Sequence, residues 1–403
     1  MAWGLIGGSL GHSFSPQIHA LLGDYPYGLY PLKAEELPAF FAGTQLQGFN
    51  VTIPHKQAVM QYLQHISPPA RRIGSVNTVW RGPDGAWWGD NTDAWGFARL
   101  LGDPTPFKGR KALVLGSGGA SRTVCAVLEE AGIPPVVISR QGENHYGNLL
   151  VHRDAALIVN TTPVGMYPDN ESQPLSLAGF PDCGLVLDLI YNPLRTRLVL
   201  EAQQRGIQAR GGMLMLAAQA QRASELFGLR PEGEDISEQV AQAVTRRQCN
   251  IALIGMPGSG KSTVGRELAK LSGRPFVDTD LLVEQRTGMP IPEYFARHGE
   301  PAFRVLESQV LHEAAKGSGQ VIATGGGVVT VPGNLPLLQQ NSIVLYLQRD
   351  LSRLSSSGRP LSQGRGVAAL FEERRPLYEA WGERIYVNED SRRTARAIWE
   401  ELL

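Results

Sequence analysis

The sequence lacks a charge excess, a cysteine framework and a long apolar run. Lys plus Arg and Asp plus Glu both total 38 in the 403 residues, so no overall field would attract nucleic acid or an anionic membrane. The three cysteines, Cys125, Cys183 and Cys249, form no CxxC pattern, which argues against a disulfide framework and a zinc site. No apolar stretch approaches the roughly 20 residues that span a bilayer, and the start shows no signal-peptide pattern. We expect a soluble cytoplasmic protein without a nucleic-acid or membrane partner.

Strand-like runs alternate with helix-compatible segments in two series. The first series comprises ALVL (112–115), VVIS (136–139), ALIVN (156–160) and LVLDLIY (185–191), and the second comprises IALIG (251–255), PFVDTD (275–280), VIATGG (321–326) and IVLYL (343–347). Strands separated by helices predict parallel βαβ units, and therefore an α/β protein. The strand-like WGLIGG and FNVTIP and the helix-compatible AEELPAFFAG precede LGDPTPFKG (101–109). They indicate a further compact unit ahead of the first series.

A phosphate-binding loop opens the second series. Gly255, Gly260, Lys261 and Ser262 satisfy GxxxxGK[ST] between the strand-like IALIG and the helix-compatible STVGRELAKL, which is the context that the motif requires. The backbone N–H groups of such a loop and the helix N-terminus bind phosphates. Lys261 would reach the outer phosphates of ATP, and Ser262 would ligate Mg²⁺. The alternative is a glycine-rich turn that binds nothing.

The residues that follow this loop indicate how the substrate that accepts the phosphate would be bound. DTD (278–280) ends the next strand-like run, so Asp278 is placed to hold the water shell of the magnesium ion. Asp280 is placed to align or deprotonate a substrate hydroxyl. Arg304 in FRVLE, the glycines of TGGG (324–327) and Arg374 in RRPLYE follow. Taken singly, each is weak evidence, because an arginine on a helix is usually solvated and a glycine triplet is usually a turn.

The second series resembles a known kinase family. GMPGSGKST, DTDLLVEQRTG, FRVLE, ATGGGVV, GRPL and RRPLYE, in this order, resemble shikimate kinase over residues 249–403. The resemblance implies a P-loop domain of the nucleoside-monophosphate-kinase type. It implies that shikimate is bound by Asp280, Arg304, Gly326 and Arg374, and that Lys261, Asp280 and the lid arginine Arg359 are catalytic. It also implies ATP binding by Gly258, Ser259, Gly260, Ser262 and Thr263, with Mg²⁺ at Ser262 and Asp278.

A second glycine-rich turn opens the first series. Gly116, Gly118 and Ser121 follow ALVL and precede the helix-compatible SRTVCAVLEEAG, a pattern typical of dinucleotide binding although a lone example is weak evidence. The next strand-like run ends at Ser139 and Arg140. An arginine at this point suits the 2′-phosphate of NADP rather than the free ribose of NAD. A surface arginine in a loop is the alternative.

Hydroxyl and amide side chains gather in the first hundred residues. They come from SLGHSFSPQIHA, FNVTIPHK, GSVNT and GDNTDAWG, and such side chains at strand ends form a polar bed for a small polyhydroxylated ligand. Turn and cap chemistry explains most of them equally well. It does not explain Lys56, because a lysine beside an aspartate is placed to transfer a proton to a reacting oxygen.

These segments also carry a family resemblance. HSFSP, NVTIPHK, GSVNT, GDNTD, GSGGASR, NTTPVGM and GGMLMLAAQA, in this order, resemble shikimate dehydrogenase across residues 1 to 228. The resemblance implies a catalytic dyad of Lys56 and Asp93. It implies substrate contacts from Ser13, Ser15, Thr52, Asn77, Tyr191 and Gln219. It further implies an NADP site lined by Gly116, Ser117, Gly118, Gly119, Ala120, Ser121, Ser139, Arg140, Asn160, Thr161 and Gly212.

Together the two resemblances imply a bifunctional enzyme that reduces 3-dehydroshikimate with NADPH and phosphorylates the product with ATP and Mg²⁺. We predict a substrate domain over 1–101, completed by a helix at 212–228, and a Rossmann NADP-binding domain over 102–211. A linker over 229–248 then leads to the kinase domain over 249–403. Two alternatives stay open: the first half is an NAD-dependent dehydrogenase that prefers quinate, or one half only binds shikimate and regulates the other.

Overall fold

The computed structural model describes residues 2–11, 13–354 and 366–402. Its internal contacts divide the chain into two compact units. Unit 1 comprises Met1–Met166, Ser172–Asn192 and Glu201–Val244, and unit 2 comprises Tyr167–Glu171, Pro193–Leu200 and Thr245–Leu403. Both units are built of helices and mostly parallel sheets, which confirms the predicted α/β class.

The first sheet of unit 1 has six strands in the order β2-β1-β3-β5-β6-β4. The strands are β1 (Trp3–Gly7), β2 (Tyr27–Pro31), β3 (Gly48–Val51), β4 (His65–Ile66), β5 (Thr78–Arg81) and β6 (Trp87–Asp90). The accompanying helices are α1 (Ser15–Leu22), α2 (Leu37–Gly43), α3 (Pro68–Ile73) and α4 (Thr92–Leu101). β1 lies parallel to β2 and β3, whereas β5 is antiparallel to both of its neighbours. The predicted run FNVTIP therefore ends beside the end of WGLIGG, with Ile6 opposite Val51.

The second sheet of unit 1 is entirely parallel, in the order β11-β10-β9-β7-β8. Its strands are β7 (Ala112–Leu115), β8 (Pro135–Ile138), β9 (Leu157–Asn160), β10 (Leu185–Asp188) and β11 (Gln208–Arg210). Helices α5 (Gly119–Glu130), α6 (Arg197–Gln204) and α7 (Met213–Leu226) follow β7, β10 and β11 along the chain. All residues of β7, β9 and β10 are buried, as expected for a parallel sheet covered on both faces.

The segment between the two predicted series contains more structure than a flexible connection. Helix α8 spans Ser237–Gln248. Ahead of it, Asp235 forms an ion pair with Arg99 at 2.6 Å, and the side chain of Gln221 donates to the carbonyl oxygen of Glu234 at 2.8 Å. Residues 230–236 are therefore part of unit 1.

The sheet of unit 2 is parallel throughout, in the order β13-β14-β12-β15-β16. Its strands are β12 (Asn250–Ile254), β13 (Phe276–Asp278), β14 (Val321–Ala323), β15 (Ser342–Gln348) and β16 (Arg384–Val387). The helices are α9 (Lys261–Ser272), α10 (Thr279–Thr287), α11 (Ile291–Lys316), α12 (Asn334–Asn341), α13 (Val367–Trp381) and α14 (Ser391–Leu402). α11 breaks at Gly299, whose φ is +78°, a conformation that favours glycine.

Three further observations concern the whole described chain. All three cysteines are free thiols. Within residues 2–11, 13–354 and 366–402, no cluster of three or more His, Cys, Asp or Glu side chains is arranged to hold a metal ion. No helix in that same part of the chain combines the length and apolar character that crossing a membrane demands.

Candidate active sites

Lys56 and Asp93 form an ion pair in unit 1. Lys56 Nζ lies 2.6 Å from Asp93 Oδ2, and the two side chains are 28% and 15% exposed, so a small ligand can reach them. Lys56 follows β3, whereas Asp93 belongs to the first turn of α4, which Asn91 caps by accepting from the N–H of Ala94. The Asp93 side chain therefore lies near the N-terminus of α4. The dyad therefore consists of an ammonium group and a carboxylate in direct contact.

The amide of Asn77 fixes the orientation of Asp93. Its Oδ1 accepts from the backbone N–H of Thr92 at 2.7 Å, so its Nδ2 must point the other way. Nδ2 donates to Asp93 Oδ1 at 2.9 Å and lies 3.4 Å from Gln219 Oε1. Because Asn77 occupies one carboxylate oxygen, Asp93 presents the other to Lys56. The predicted residues Asn77 and Gln219 are thus brought to the dyad.

The predicted serines and Tyr191 form a second group in unit 1. Ser13 Oγ donates to Ser15 Oγ at 3.1 Å, and Phe14 between them packs on Tyr191 with ring centroids 5.4 Å apart. Burial raises the pKa of Tyr191. Thr52 follows β3, and its N–H donates to the carbonyl oxygen of Ile6 at 2.9 Å. The serines and Thr52 therefore follow the carboxyl ends of neighbouring strands β1 and β3, the same edge from which Lys56 emerges.

The predicted dinucleotide residues meet at one edge of the second sheet. The loop Gly116–Ser121 follows β7, and Ser139 and Arg140 follow β8. Asn160 is the last residue of β9, and Thr161 follows it. Because β9, β7 and β8 are adjacent and parallel, their carboxyl ends form the crevice where such sheets bind ligands. Gly116 has a φ of +106°, and residues 117–120 are exposed at the start of α5. This arrangement fits a dinucleotide pyrophosphate, with the N–H groups of α5 facing it.

Three of the predicted NADP residues are internal. Ser121 is buried. Asn160 is also buried, and its amide donates to Asp188 Oδ1 at 3.0 Å while its oxygen accepts from Thr162. A Cβ on Gly212 would overlap the carbonyl oxygen of Leu189.

The phosphate loop of unit 2 joins β12 to α9. Gly258 and Gly260 have φ values of +88° and +96°, which glycine adopts without strain. Lys261 Nζ donates to the carbonyl oxygens of Gly255 and Met256 at 2.9 and 3.0 Å, so its ammonium group lies over the loop. Thr263 is exposed in the first turn of the helix. The loop has the shape and charge of a triphosphate cradle.

The residues beside this loop fit a magnesium ion. Ser262 Oγ donates to Asp278 Oδ2 at 2.7 Å, which places a hydroxyl and a carboxylate together. Oxygen ligands and retained waters are what Mg²⁺ prefers. Asp278 also caps α10 by accepting from the N–H of Asp280 at 3.1 Å, so its orientation is fixed by the backbone.

Asp280 faces the glycine triplet from the first turn of α10. The residue as a whole is exposed, but the protein around its carboxylate displaces water. This desolvation raises its pKa from 3.8 to about 6; the positive charge of Lys261 acts in the opposite direction, and the negative charge of Glu307 reinforces the rise. A carboxylate with a pKa near neutrality is suited to general base chemistry.

The two predicted carboxylate-binding arginines are both held by protein groups. Arg304 donates to Glu307 at 2.7 Å and to Glu300 at 3.0 Å. Arg374, 2% exposed, donates to the carbonyl oxygen of Gly326 at 3.1 Å. Gly325, Gly326 and Gly327 permit this crowding, because a Cβ on them would overlap Glu307, Pro257 and Arg304 respectively.

Two residues of this site were not assigned from the sequence. Glu307 is buried, its pKa is raised by burial against the effect of Arg304, and it links Arg304 to the neighbourhood of Asp280. Tyr378 donates through its hydroxyl to the same Gly326 oxygen that Arg374 contacts. Their spacings, three residues after Arg304 and four after Arg374, place each pair on one helix face. The predicted lid residue Arg359 lies outside the described residues.

The comparisons with known proteins agree with both halves of this arrangement. The family model for the shikimate dehydrogenase substrate binding domain matches residues 5–79, and the shikimate kinase model matches residues 257–403. Shikimate dehydrogenase (NADP(+)) of Synechocystis sp. is 36% identical over 258 residues, covering 56% of this chain and 89% of that protein.

Solved structures of shikimate dehydrogenases also resemble this chain, over about 60% of its length. A chorismate mutase/shikimate 5-dehydrogenase fusion protein from Clostridium acetobutylicum is 33% identical with a TM-score of 0.56, covering 60% of this chain and 96% of that one. Shikimate 5-dehydrogenase from Thermus thermophilus, solved with NADP(H) and shikimate, is 34% identical with a TM-score of 0.54, covering 61% of this chain and 99% of that one.

Unit 1 combines a lysine–aspartate ion pair with a sheet edge of the dinucleotide-binding type, and unit 2 contains a P-loop. Together with the family matches, these features define a dehydrogenase fused to a phosphotransferase. The chain belongs to the shikimate dehydrogenase family and carries a shikimate kinase domain in its C-terminal part. Both predicted resemblances are therefore confirmed.

Proposed function

We propose that this protein catalyses two consecutive reactions: NADPH-dependent reduction of 3-dehydroshikimate to shikimate, and ATP-dependent phosphorylation of the shikimate 3-hydroxyl. The observation that supports the pair is that each family's catalytic set is complete among the described residues, apart from Arg359. Unit 1 holds the Lys56–Asp93 contact at 2.6 Å. Unit 2 holds the phosphate loop with Ser262 bonded to Asp278.

In the first reaction, the residues of unit 1 bind the substrate and transfer one proton to it. Gly116–Ser121, Ser139 and Arg140 would hold NADPH, which would supply the hydride for the carbonyl carbon when bound. Lys56 donates its proton to the carbonyl oxygen and stabilises the negative charge that develops there. Asp93, fixed by Asn77, orients the ammonium group. The remaining polar groups of the substrate are bound by Ser13, Ser15, Thr52, Tyr191 and Gln219.

In the second reaction, the residues of unit 2 align a hydroxyl with the terminal phosphate. Ser262 and Asp278 would hold Mg²⁺, which neutralises phosphate charge when bound. Asp280 hydrogen-bonds the 3-hydroxyl and accepts its proton as attack proceeds. Lys261 stabilises the charge on the outer phosphates. Arg304 and Arg374 bind the substrate carboxylate through charge-assisted hydrogen bonds.

Several finer assignments belong to this proposal. Arg140 favours NADP over NAD, and Arg359 closes over the phosphates. The substrate domain spans 1–101 with the 212–228 helix, the Rossmann domain 102–211, the connecting segment 229–248 and the kinase domain 249–403. We propose a cytoplasmic location, because the reactions consume NADPH and ATP and the three cysteines are free thiols. The quinate alternative and the regulatory alternative are not favoured, since curated relatives are named Shikimate dehydrogenase (NADP(+)) and the shikimate kinase model matches residues 257–403.

A coupled assay on the purified chain tests the proposal. With 3-dehydroshikimate, NADPH, ATP and Mg²⁺ supplied together, ADP should appear only when NADPH is present. Lys56→Ala should abolish NADPH oxidation while added shikimate is still phosphorylated, and Lys261→Ala should do the reverse. If NADPH is consumed but neither the reaction product nor added shikimate yields ADP, the kinase assignment is wrong.

A further inference from the structure

Asn388 contacts the phosphate loop from outside the predicted motifs. It is the residue that follows β16, and its backbone N–H donates to the carbonyl oxygen of Gln348 at 2.8 Å, which anchors it beside the end of β15. Its side-chain amide donates to the carbonyl oxygen of Ser259 at 2.7 Å. Asn388 and Ser259 are 2% and 0% exposed, so water does not compete for this hydrogen bond.

The orientation of the Asn388 amide is set by a neighbour. Thr394, on α14, donates through its hydroxyl to Asn388 Oδ1 at 3.2 Å. With the oxygen side of the amide occupied in this way, the NH₂ side faces Ser259. A Cβ on Gly260 would overlap Nδ2 of Asn388, so the glycine of the motif is required for this close approach as well as for its φ of +96°.

The hydrogen bond determines where one N–H of the loop points. In a planar trans peptide, the carbonyl of Ser259 and the N–H of Gly260 point in opposite directions. Because Asn388 holds this carbonyl, the Gly260 N–H points away from Asn388, which leaves it available to a phosphate oxygen bound by the loop. We propose that Asn388 is a positioning residue for nucleotide binding, acting through the Ser259–Gly260 peptide with Thr394 as its support. The inference rests on the proposed ATP-dependent reaction of unit 2.

Kinetics of the full chain separate this role from a purely structural one. Asn388→Ala and Asn388→Asp should each lower kcat/KM for Mg-ATP about tenfold, as expected for losing one donor that shapes an anion site. The KM for shikimate should stay within about twofold of wild type, because Asn388 is not among the groups around Asp280, Arg304 and Gly326. Dehydrogenase activity, read in the same sample, should be unchanged and reports that unit 1 is folded, whereas the unchanged KM for shikimate reports that unit 2 is folded.

A second pair of variants keeps the test decisive if Asn388→Ala does not fold. Thr394→Val should lower kcat/KM for Mg-ATP about threefold because the amide loses its fixed orientation, whereas Thr394→Ser, which keeps the hydroxyl, should restore it. Arg396→Ala, an exposed change on the same helix, serves as the matched control and should behave as wild type. Calorimetric titration with Mg-ADP measures nucleotide affinity without the kinase reaction. It therefore tests whether Asn388 affects nucleotide binding even if the chain proves to have no kinase activity.

Three results would overturn the inference. One is wild-type ATP kinetics and Mg-ADP affinity in both Asn388 variants. Another is an equal rise in the KM for ATP and for shikimate, which indicates general loosening of unit 2. The third is identical behaviour of Thr394→Val and Thr394→Ser.

Discussion

The pKa of Asp280 leads to a specific prediction about the pH dependence of the kinase reaction. In the proposed reaction the base is the ionised carboxylate of Asp280, so activity should be lost as the pH falls through its pKa. Desolvation raises that pKa from 3.8 to about 6. At pH 5 about one-tenth of Asp280 is then ionised, against about nine-tenths for an unperturbed aspartate. We expect kcat/KM for shikimate to begin its fall toward low pH at a higher pH than an unperturbed aspartate would give.

The assay measures kcat/KM for shikimate from about pH 4.5 to 8 with Mg-ATP saturating at every point, so that titration of the nucleotide does not set the profile. Glu307→Gln removes a negative charge that raises the pKa of Asp280, so its acid limb should move to lower pH. Glu300→Gln is the matched control, because Glu300 also contacts Arg304 but is not among the charges that raise the pKa of Asp280. An acid limb near the ordinary aspartate pKa of about 4 in the wild type, or the same limb in Glu307→Gln, would refute the reasoning.

Three further predictions concern residues with defined contacts. Gly212→Ala, whose Cβ would overlap the carbonyl oxygen of Leu189, should destabilise unit 1 by about 2 kcal/mol in urea unfolding followed by dehydrogenase activity, and an unchanged midpoint would contradict this. Tyr378→Phe removes a donor to Gly326 and should raise the KM for shikimate about threefold with the KM for ATP unchanged. Arg140→Ala should lower kcat/KM for NADPH about tenfold while NADH kinetics stay near wild type; equal losses with both coenzymes would exclude recognition of the 2′-phosphate.

The buried parallel strands were the part of the fold that the sequence predicted well. ALVL coincides with β7, and IALIG and IVLYL differ from β12 and β15 by one residue at each end. Such strands are apolar throughout because both faces are covered, so they are conspicuous in the sequence. Strands β5 and β6 were not predicted. Both mix buried with more exposed residues, and their antiparallel pairing is not encoded in a short apolar run.

Site residues were predictable where a motif combines glycines with a charged group at fixed spacing, as at Lys261 and Ser262. Residues that act indirectly, through another group of the protein, were not. Asn388 lies 127 positions after Lys261 in the sequence (388 − 261). Its contact with Ser259 depends on the order of the strands in the sheet and not on the local sequence. Because β15 lies between β12 and β16 in the parallel sheet, the end of β16 approaches the loop that follows β12. No local pattern around Asn388 records that approach.

Glu307 illustrates how the acceptor site couples two functions. Its carboxylate is bonded to Arg304, which orders the guanidinium before any ligand arrives and so lowers the entropy cost of binding a carboxylate. An arginine has about five N–H donors, and the bonds of Arg304 to Glu300 and Glu307 leave others for the substrate. The same buried charge of Glu307 raises the pKa of Asp280. A substitution at Glu307 must therefore change both the KM for shikimate and the acid limb of the kinase, whereas Glu300→Gln should change only the first.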